Sequence, residues 1–183
     1  MNNITILNFS GRNNGNCSNI SNYIAHYHKR TNARIVRIPE YFSPCGNCNY
    51  ECLTPGMRCP NINDDINQAM SEICQSDITY FIIPNYCGVP CSNYYAFSER
   101  SVGWLNGDRE LTEQYARVSK KFIIISNSET NAFNEVIKRN AAGKSDVIYL
   151  ASRKYGTRST EPELLQSKAA RNDLQEFLER DLL

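Results

Sequence analysis

The chain has 183 residues, 41% hydrophobic and 21% charged, with 20 Lys and Arg set against 19 Asp and Glu. That length fits one domain, and a chain of this size buries roughly 70% of its unfolded surface without covalent staples. A formal net charge of +1 excludes whole-molecule attraction to nucleic acid or an anionic membrane, so any bound anion must be held locally. The longest apolar runs, YFII and FIII, are too short to span a bilayer, and the first residues lack the pattern of a signal peptide. The expected compartment is therefore the cytoplasm, where eight cysteines point to metal or redox use instead of disulfides.

Residues 4–9 are short, apolar and β-branched, which predicts a buried strand. The turn-rich stretch LNFSGRNNGNCSNI (7–20) follows, and Ile20, Tyr23, Ile24 and Tyr27 then mark one face of a helix. His26 and His28 fall on that helix as surface residues. A second strand is expected at 33–38. After a run of four cysteines, Ile66, Ala69, Met70 and Ile73 repeat the helical spacing, and Cys74 reads as a core residue. Residues 77–84, DITYFIIP, are apolar enough to be covered on both faces, as in a parallel sheet.

A helix is expected around 91–100, and then a polar excursion at 101–119 that carries Trp104 and a short helix. Strands at 121–126 and 146–151 are separated by a helix ending near Gly143, and the Lys120–Lys121 pair reads as a solvated strand entrance. Thr160-x-x-Glu163 reads as a capping box that opens the last helix, with Pro162 in its first turn. Ala170, Leu174, Phe177 and Leu178 form that helix's inner face. Five strands alternating with helices, joined by right-handed crossovers, predict a doubly wound α/β domain of strand order 2-1-3-4-5. Ligands of such sheets lie outside the carboxyl ends of the strands, at the switch point beside strands one and three.

Residues 9–18 are the loop at that end of the first strand. Unpaired amides at a helix N-terminus attract anions, and small residues let a phosphate reach them. Ser10, Asn16 and Ser18 add side-chain donors, and Arg12 a charge-assisted contact. Neither G-x-x-x-x-G-K-[ST] nor G-x-G-x-x-G occurs, which takes support from a nucleoside triphosphate or a Rossmann dinucleotide site.

NFSGRNNGNCSNI is similar to the N-G-S-P-R-x-x-G-N-[ST]-S loop of flavodoxin-like NAD(P)H-dependent FMN reductases, a family that includes the iron–sulfur flavoproteins. Asn8, Ser10, Arg12, Gly15, Asn16 and Ser18 match, with Gly11 in place of proline and Cys17 in place of threonine. IPNYCGVPCSNYYAFSER resembles the family's S-P-x-Y-x-G followed by A-F-x-[DE]-R, through Pro84, Tyr86, Gly88, Ala96, Phe97, Glu99 and Arg100. The cysteine loop ending in NINDDI resembles C-x-x-C-x-x-C…C…DD. The resemblance implies a flavodoxin-like fold and bound FMN, its phosphate held by Ser10, Arg12, Asn16, Cys17 and Ser18. It places the isoalloxazine beside Pro84, Asn85, Tyr86, Cys87 and Gly88, with Asn127 and Ser128 at the flavin's polar edge. It also implies NAD(P)H as cosubstrate and assembly as a dimer or tetramer. The loop SNSETNAF departs from the family's glycine-bearing segment, and Glu129 brings a carboxylate there.

Cys45, Cys48, Cys52 and Cys59 run C-x2-C-x3-C-x6-C. The residues alone leave open a [4Fe–4S] cluster, a tetrahedral zinc site, a redox thiol pair and plain packing. The resemblance implies the cluster, although the third cysteine lies one residue farther along than in the family. The expected function is an FMN-dependent oxidoreductase that passes electrons from NAD(P)H to a small molecule or to a protein such as a ferredoxin-like partner. No residue is assigned as catalytic acid or base. A non-enzymatic electron carrier and a flavin-free, metal-stabilised domain remain as alternatives.

Overall fold

A computed structural model describes residues 2–38, 43–46, 48–61, 63–106, 108–128 and 132–180. In chain order the main elements are β1 (Asn3–Asn8), α1 (Asn16–Tyr27), β2 (Asn32–Arg37), α2 (Asp65–Cys74), β3 (Ile78–Tyr86) and β4 (Val89–Pro90). They continue with α3 (Ser92–Leu105), α4 (Arg109–Arg117), β5 (Ser119–Ser126), α5 (Ala132–Ala141), β6 (Ser145–Ala151) and α6 (Lys168–Glu179). Five strands run parallel in the order β2-β1-β3-β5-β6, and the short β4 folds back antiparallel on β3. Apart from β4, this is the expected 2-1-3-4-5 sheet of a flavodoxin-like fold.

Alternation along each strand divides the core between two faces. Ile4, Ile6, Tyr80, Ile82, Ile123 and Ile125 pack beneath α1 and α6, where Ile20, Ile24, Leu174 and Phe177 cover them. On the other face, Leu7, Phe81, Ile83, Phe122 and Ile124 meet Met70, Ile73, Phe97, Phe133 and Ile137 from α2, α3 and α5. Phe81 and Phe122, paired in the β3–β5 register, stack with centroids 4.7 Å apart. Gly143 has φ +94, and a Cβ there would lie 2.1 Å from the Ala116 carbonyl oxygen, so only glycine lets α5 turn into β6 at this point.

Residues 101–119 differ from the expected excursion. The helix expected at 91–100 continues to Leu105, and α4 brings Tyr115 (5% exposed) and Val118 (3%) into the core, with Trp104 packed against it. The last helix opens at Lys168, where the Ser167 hydroxyl accepts from the Ala170 amide. Thr160-x-x-Glu163 therefore caps nothing, and that segment is a turn leading to a short 3₁₀ stretch at Leu164–Gln166.

The lysine pair is also not solvated. Lys120 is 0% exposed, and its ammonium donates to the carbonyls of Tyr115 (2.5 Å), Val118 (2.9 Å) and Ala142 (2.9 Å). It thereby ties the ends of α4 and α5 to the sheet, and burial pulls its pKa down to about 8. Lys121 does the same for α6, donating to the carbonyls of Phe177, Leu178 and Arg180. Both are charges that complement helix carboxyl ends. Lys120→Met strips three buried carbonyls of their donor, and urea unfolding should show a loss of about 2–4 kcal/mol.

His28 is half-buried, at the carboxyl cap of α1, and its Nε2 lies 2.8 Å from the Tyr80 hydroxyl. Burial, and then the nearby Lys121 charge, lower its pKa. The unfolded chain therefore takes up a proton near pH 6.5 that the folded chain resists, and stability should fall as pH drops from 6.5 toward the folded value. Unfolding at pH 7 and pH 5 should show this decline, reduced in His28→Gln.

Candidate functional site

The loop after β1 is shaped by its own side chains. Asn8, 1% exposed, accepts from the Ser10 amide (2.9 Å), and the Ser10 hydroxyl accepts from the Arg12 amide (3.2 Å). These are side-chain turns that fix a polar loop without a strand or helix. The parallel register sets Arg37 beside Asn8, and its guanidinium donates to Asn13 Oδ1 (2.5 Å) and the Arg12 carbonyl (3.1 Å). The first-turn amides of α1, at Asn16, Cys17 and Ser18, have no intrahelical acceptor. The N-cap is Gly15, which offers no side chain, and the first turn holds no acidic residue. The helix thus presents an uncompensated positive end.

The facing wall is the β3–β4 hairpin. Its two-residue turn, Cys87 (φ 54) and Gly88 (φ 86), has both residues left-handed, as tight hairpins require. The hairpin displays Tyr86 at 57% exposure and holds Asn85 at the floor. Asn85 Oδ1 is buried, with no hydrogen-bond partner among the described residues. A buried acceptor left unpaired is costly, and this residue lines a cavity.

Two buried thiols lie near the loop after β1. Cys17 is pushed up to about 12 by burial, against an opposing hydrogen bond from Ser10. Cys91 rises to about 11, chiefly through burial, and its thiol lies 3.6 Å from the Phe9 carbonyl oxygen. Both are neutral near pH 7 and are weak donors, not nucleophiles.

Between these walls lies a cavity of about 270 Å³ that brings together Ser10, Arg12, Asn16, Cys17, Pro84, Asn85, Tyr86, Cys87 and Asn127. Three expected residues do not line it. Ser18 donates to the Arg12 carbonyl (3.2 Å), Gly88 completes the hairpin turn, and the Ser128 carbonyl accepts from the Ser126 hydroxyl (2.7 Å). Glu129 lies outside the described residues. Ser159 and Thr160 also line the cavity, and nothing in their local sequence marks them. Arg12, expected to contact an anion, lines the cavity and donates to the Thr160 carbonyl (2.9 Å). Arg37 was missed too, although the parallel β1–β2 register was enough to place it beside the loop.

The cysteine loop is a separate feature. Arg100, 3% exposed, donates to the carbonyls of Ser43 (2.8 Å) and Asn61 (3.2 Å), which flank the loop, and pairs with Asp64 at 2.7 Å. Asp64 also caps α2 through the Asn67 amide. Burial raises its carboxyl, but Arg100 and Asn67 outweigh burial and hold it below the usual range. Cys52 is buried, and the Asn106 side chain donates to its carbonyl (2.6 Å). Among the described residues, no three or more His, Cys, Asp or Glu side chains are arranged to hold a metal ion, and Cys45, Cys48, Cys52 and Cys59 are free thiols. A four-cysteine metal centre is thus not formed among the described residues, although the pKa of the Cys52 thiol is raised by burial and then by the nearby Cys59, Cys45 and Cys48. A cavity of about 560 Å³ lies beside the loop, walled by Cys52, Met57, Cys59 and Trp104 among others.

Fold and site together define a flavodoxin-like α/β protein with a crevice at the switch point of its sheet. No family model matches the chain, and no curated protein does. Among solved structures the chain is similar to the Trp repressor binding protein from Bacillus subtilis (14% identity, 97% of this chain and 99% of that chain, TM-score 0.65). It is similar to a putative quinone reductase from Klebsiella pneumoniae (9% identity, 98% of this chain and 86% of that chain, TM-score 0.61). It is also similar to FerB, a flavoenzyme NAD(P)H:(acceptor) oxidoreductase from Paracoccus denitrificans (10% identity, 97% of this chain and 96% of that chain, TM-score 0.59). Identities this low establish the shared fold.

Arg100 should govern access to the loop it clasps. In Arg100→Met, the buried Cys52 thiol should react with a thiol reagent about tenfold faster or more, because local opening of the loop costs about 1.4 kcal/mol less. Peptide mapping of the labelled cysteines measures this.

Proposed function

We propose that this chain is an FMN-dependent oxidoreductase that takes electrons from NAD(P)H and passes them to a small-molecule or protein acceptor. The observation that carries the reading is one cavity lined both by Asn85, whose buried Oδ1 has no partner among the described residues, and by the first turn of α1. A flavin mononucleotide meets both needs, with a phosphate for the amides and a ring imide N–H for the carbonyl oxygen. The likeness in fold to FerB and to the putative quinone reductase supports the same direction.

FMN, when bound, supplies reversible acceptance and release of a hydride equivalent. The amides of α1's first turn, the Ser10 hydroxyl and the neutral Cys17 thiol hold the phosphate. Asn85, Tyr86 and the backbone of the β3–β4 hairpin would hold the ring, Asn85 by a hydrogen bond and Tyr86 by packing. Asn127 lies at the polar rim. Hydride transfer to a flavin needs no protein acid or base, so these residues bind and position. An acidic docking face would favour a pure electron carrier, and the balanced charge of the chain gives no such bias. Tyr95 and Val102, seven residues apart on α3 and exposed at 39% and 60%, support contact between copies as a dimer or tetramer.

Titration of flavin-stripped protein with FMN, followed by fluorescence, should give saturable binding. Asn85→Leu should weaken it about tenfold, the worth of one buried hydrogen bond. The reconstituted protein should oxidise NAD(P)H with a quinone or ferricyanide, and failure to bind FMN at saturating concentration overturns the reading. No step is drawn through a [4Fe–4S] cluster. Iron and sulfide near about four each per chain in oxygen-protected protein would restore that part of the expectation.

A further inference from the structure

The segment 159–164 runs along the amino end of α1 and is fastened there by side chains. Asn16, 2% exposed, donates through Nδ2 to the carbonyls of Ser159 (3.2 Å) and Glu161 (2.6 Å) and accepts through Oδ1 from the Leu164 amide (3.1 Å). Arg12 holds the Thr160 carbonyl (2.9 Å), and Asn19 the Pro162 carbonyl (3.1 Å). From the fourth main strand's end, Asn127 Oδ1 accepts from the Ser159 hydroxyl (2.8 Å) and amide (3.3 Å). Four consecutive carbonyls, 159 to 162, are thus each bound by a side chain from the loop or from the first turns of α1. Leu164 anchors the far end, 0% exposed in the core under α1 and α6.

A strap fastened this way is a wall. It lies beside the first-turn amides, and Ser159 and Thr160 face the cavity that those amides serve. An anion seated on those amides would therefore lie next to the strap. We infer that residues 159–164 close the phosphate end of the flavin crevice, so that the site accepts a terminal phosphate monoester and refuses a flavin extended beyond that phosphate. FMN satisfies the restriction and FAD does not. The inference rests on the flavin reading above and adds the residues that set its selectivity. Arg12 and Asn16, placed by sequence in direct contact with phosphate, act here as positioning residues that hold the strap.

The test measures the affinities of flavin-stripped protein for FMN, FAD and riboflavin by fluorescence, with amide hydrogen exchange over 157–164. The wild-type chain should prefer FMN to FAD by about tenfold or more, and FMN should slow exchange in the strap. In the double variant Asn16→Ser, Asn19→Ala, strap exchange should quicken and the FMN-to-FAD ratio should fall to within about threefold. Wild-type protein that binds FMN and FAD equally overturns the strap's role while leaving the flavin reading intact. A variant whose strap exchanges freely but whose ratio is unchanged does the same. Protein that binds none of the three flavins overturns both. The wild-type ratio and exchange stand as a test even if the variant does not fold.

Discussion

A buried primary amide must spend every hydrogen-bonding group it has, and Asn16 is such an amide at the amino end of α1. It is 2% exposed and makes three side-chain hydrogen bonds to one segment that lies more than 140 residues away in the chain. Leaving any of those groups unpaired would cost about 1–3 kcal/mol, so helix and strap are placed together or not at all. That constraint makes the crevice a three-sided site. The first wall is the β1 loop, the second the β3–β4 hairpin, and the third the strap that a two-walled reading omits.

The sheet was legible because its central strands are short, continuous apolar runs, as strands covered on both faces must be, and successive residues then divide between the two faces. Ile4 and Ile6 point one way and Leu7 and Phe9 the other, and the same alternation holds from Tyr80 to Ile83. The first two walls were legible because a turn-rich loop must follow a buried strand at its carboxyl end. The third was not. Residues 159–163 are polar, aperiodic and held by side chains far away in sequence, and their one local signature, Thr-x-x-Glu, pointed to a capping box. Capping boxes are recognised by spacing alone, and here Ser167, four residues past Glu163, does the capping.

Lys120 and Lys121 misled for a related reason. A charged pair at the start of an apolar run usually marks where the strand leaves water. Yet helices that end against a sheet's edge leave carbonyls that need donors, and a long ammonium side chain supplies three at once. The lysines are therefore core residues by function, one for the ends of α4 and α5 and one for α6. The length of α3 escaped notice because Trp104 and Leu105 sit among polar residues, and the core they pack against is assembled from segments distant in the chain.

The cysteine loop shows how separate tasks can share one anchor. Arg100 binds carbonyls on both sides of the loop and the carboxylate that caps α2, so loop closure and helix initiation are coupled through a single guanidinium. Such a fork suits three acceptors in fixed directions, a task a lysine's point charge performs poorly. The clasp organises the main chain at the loop's ends, through carbonyls and not through the four sulfurs. The same logic governs the strap, where side chains grip carbonyls instead of one another. In both places, long polar side chains fix irregular backbone against a rigid sheet, and the chain sets its loops with as little regular structure as that requires.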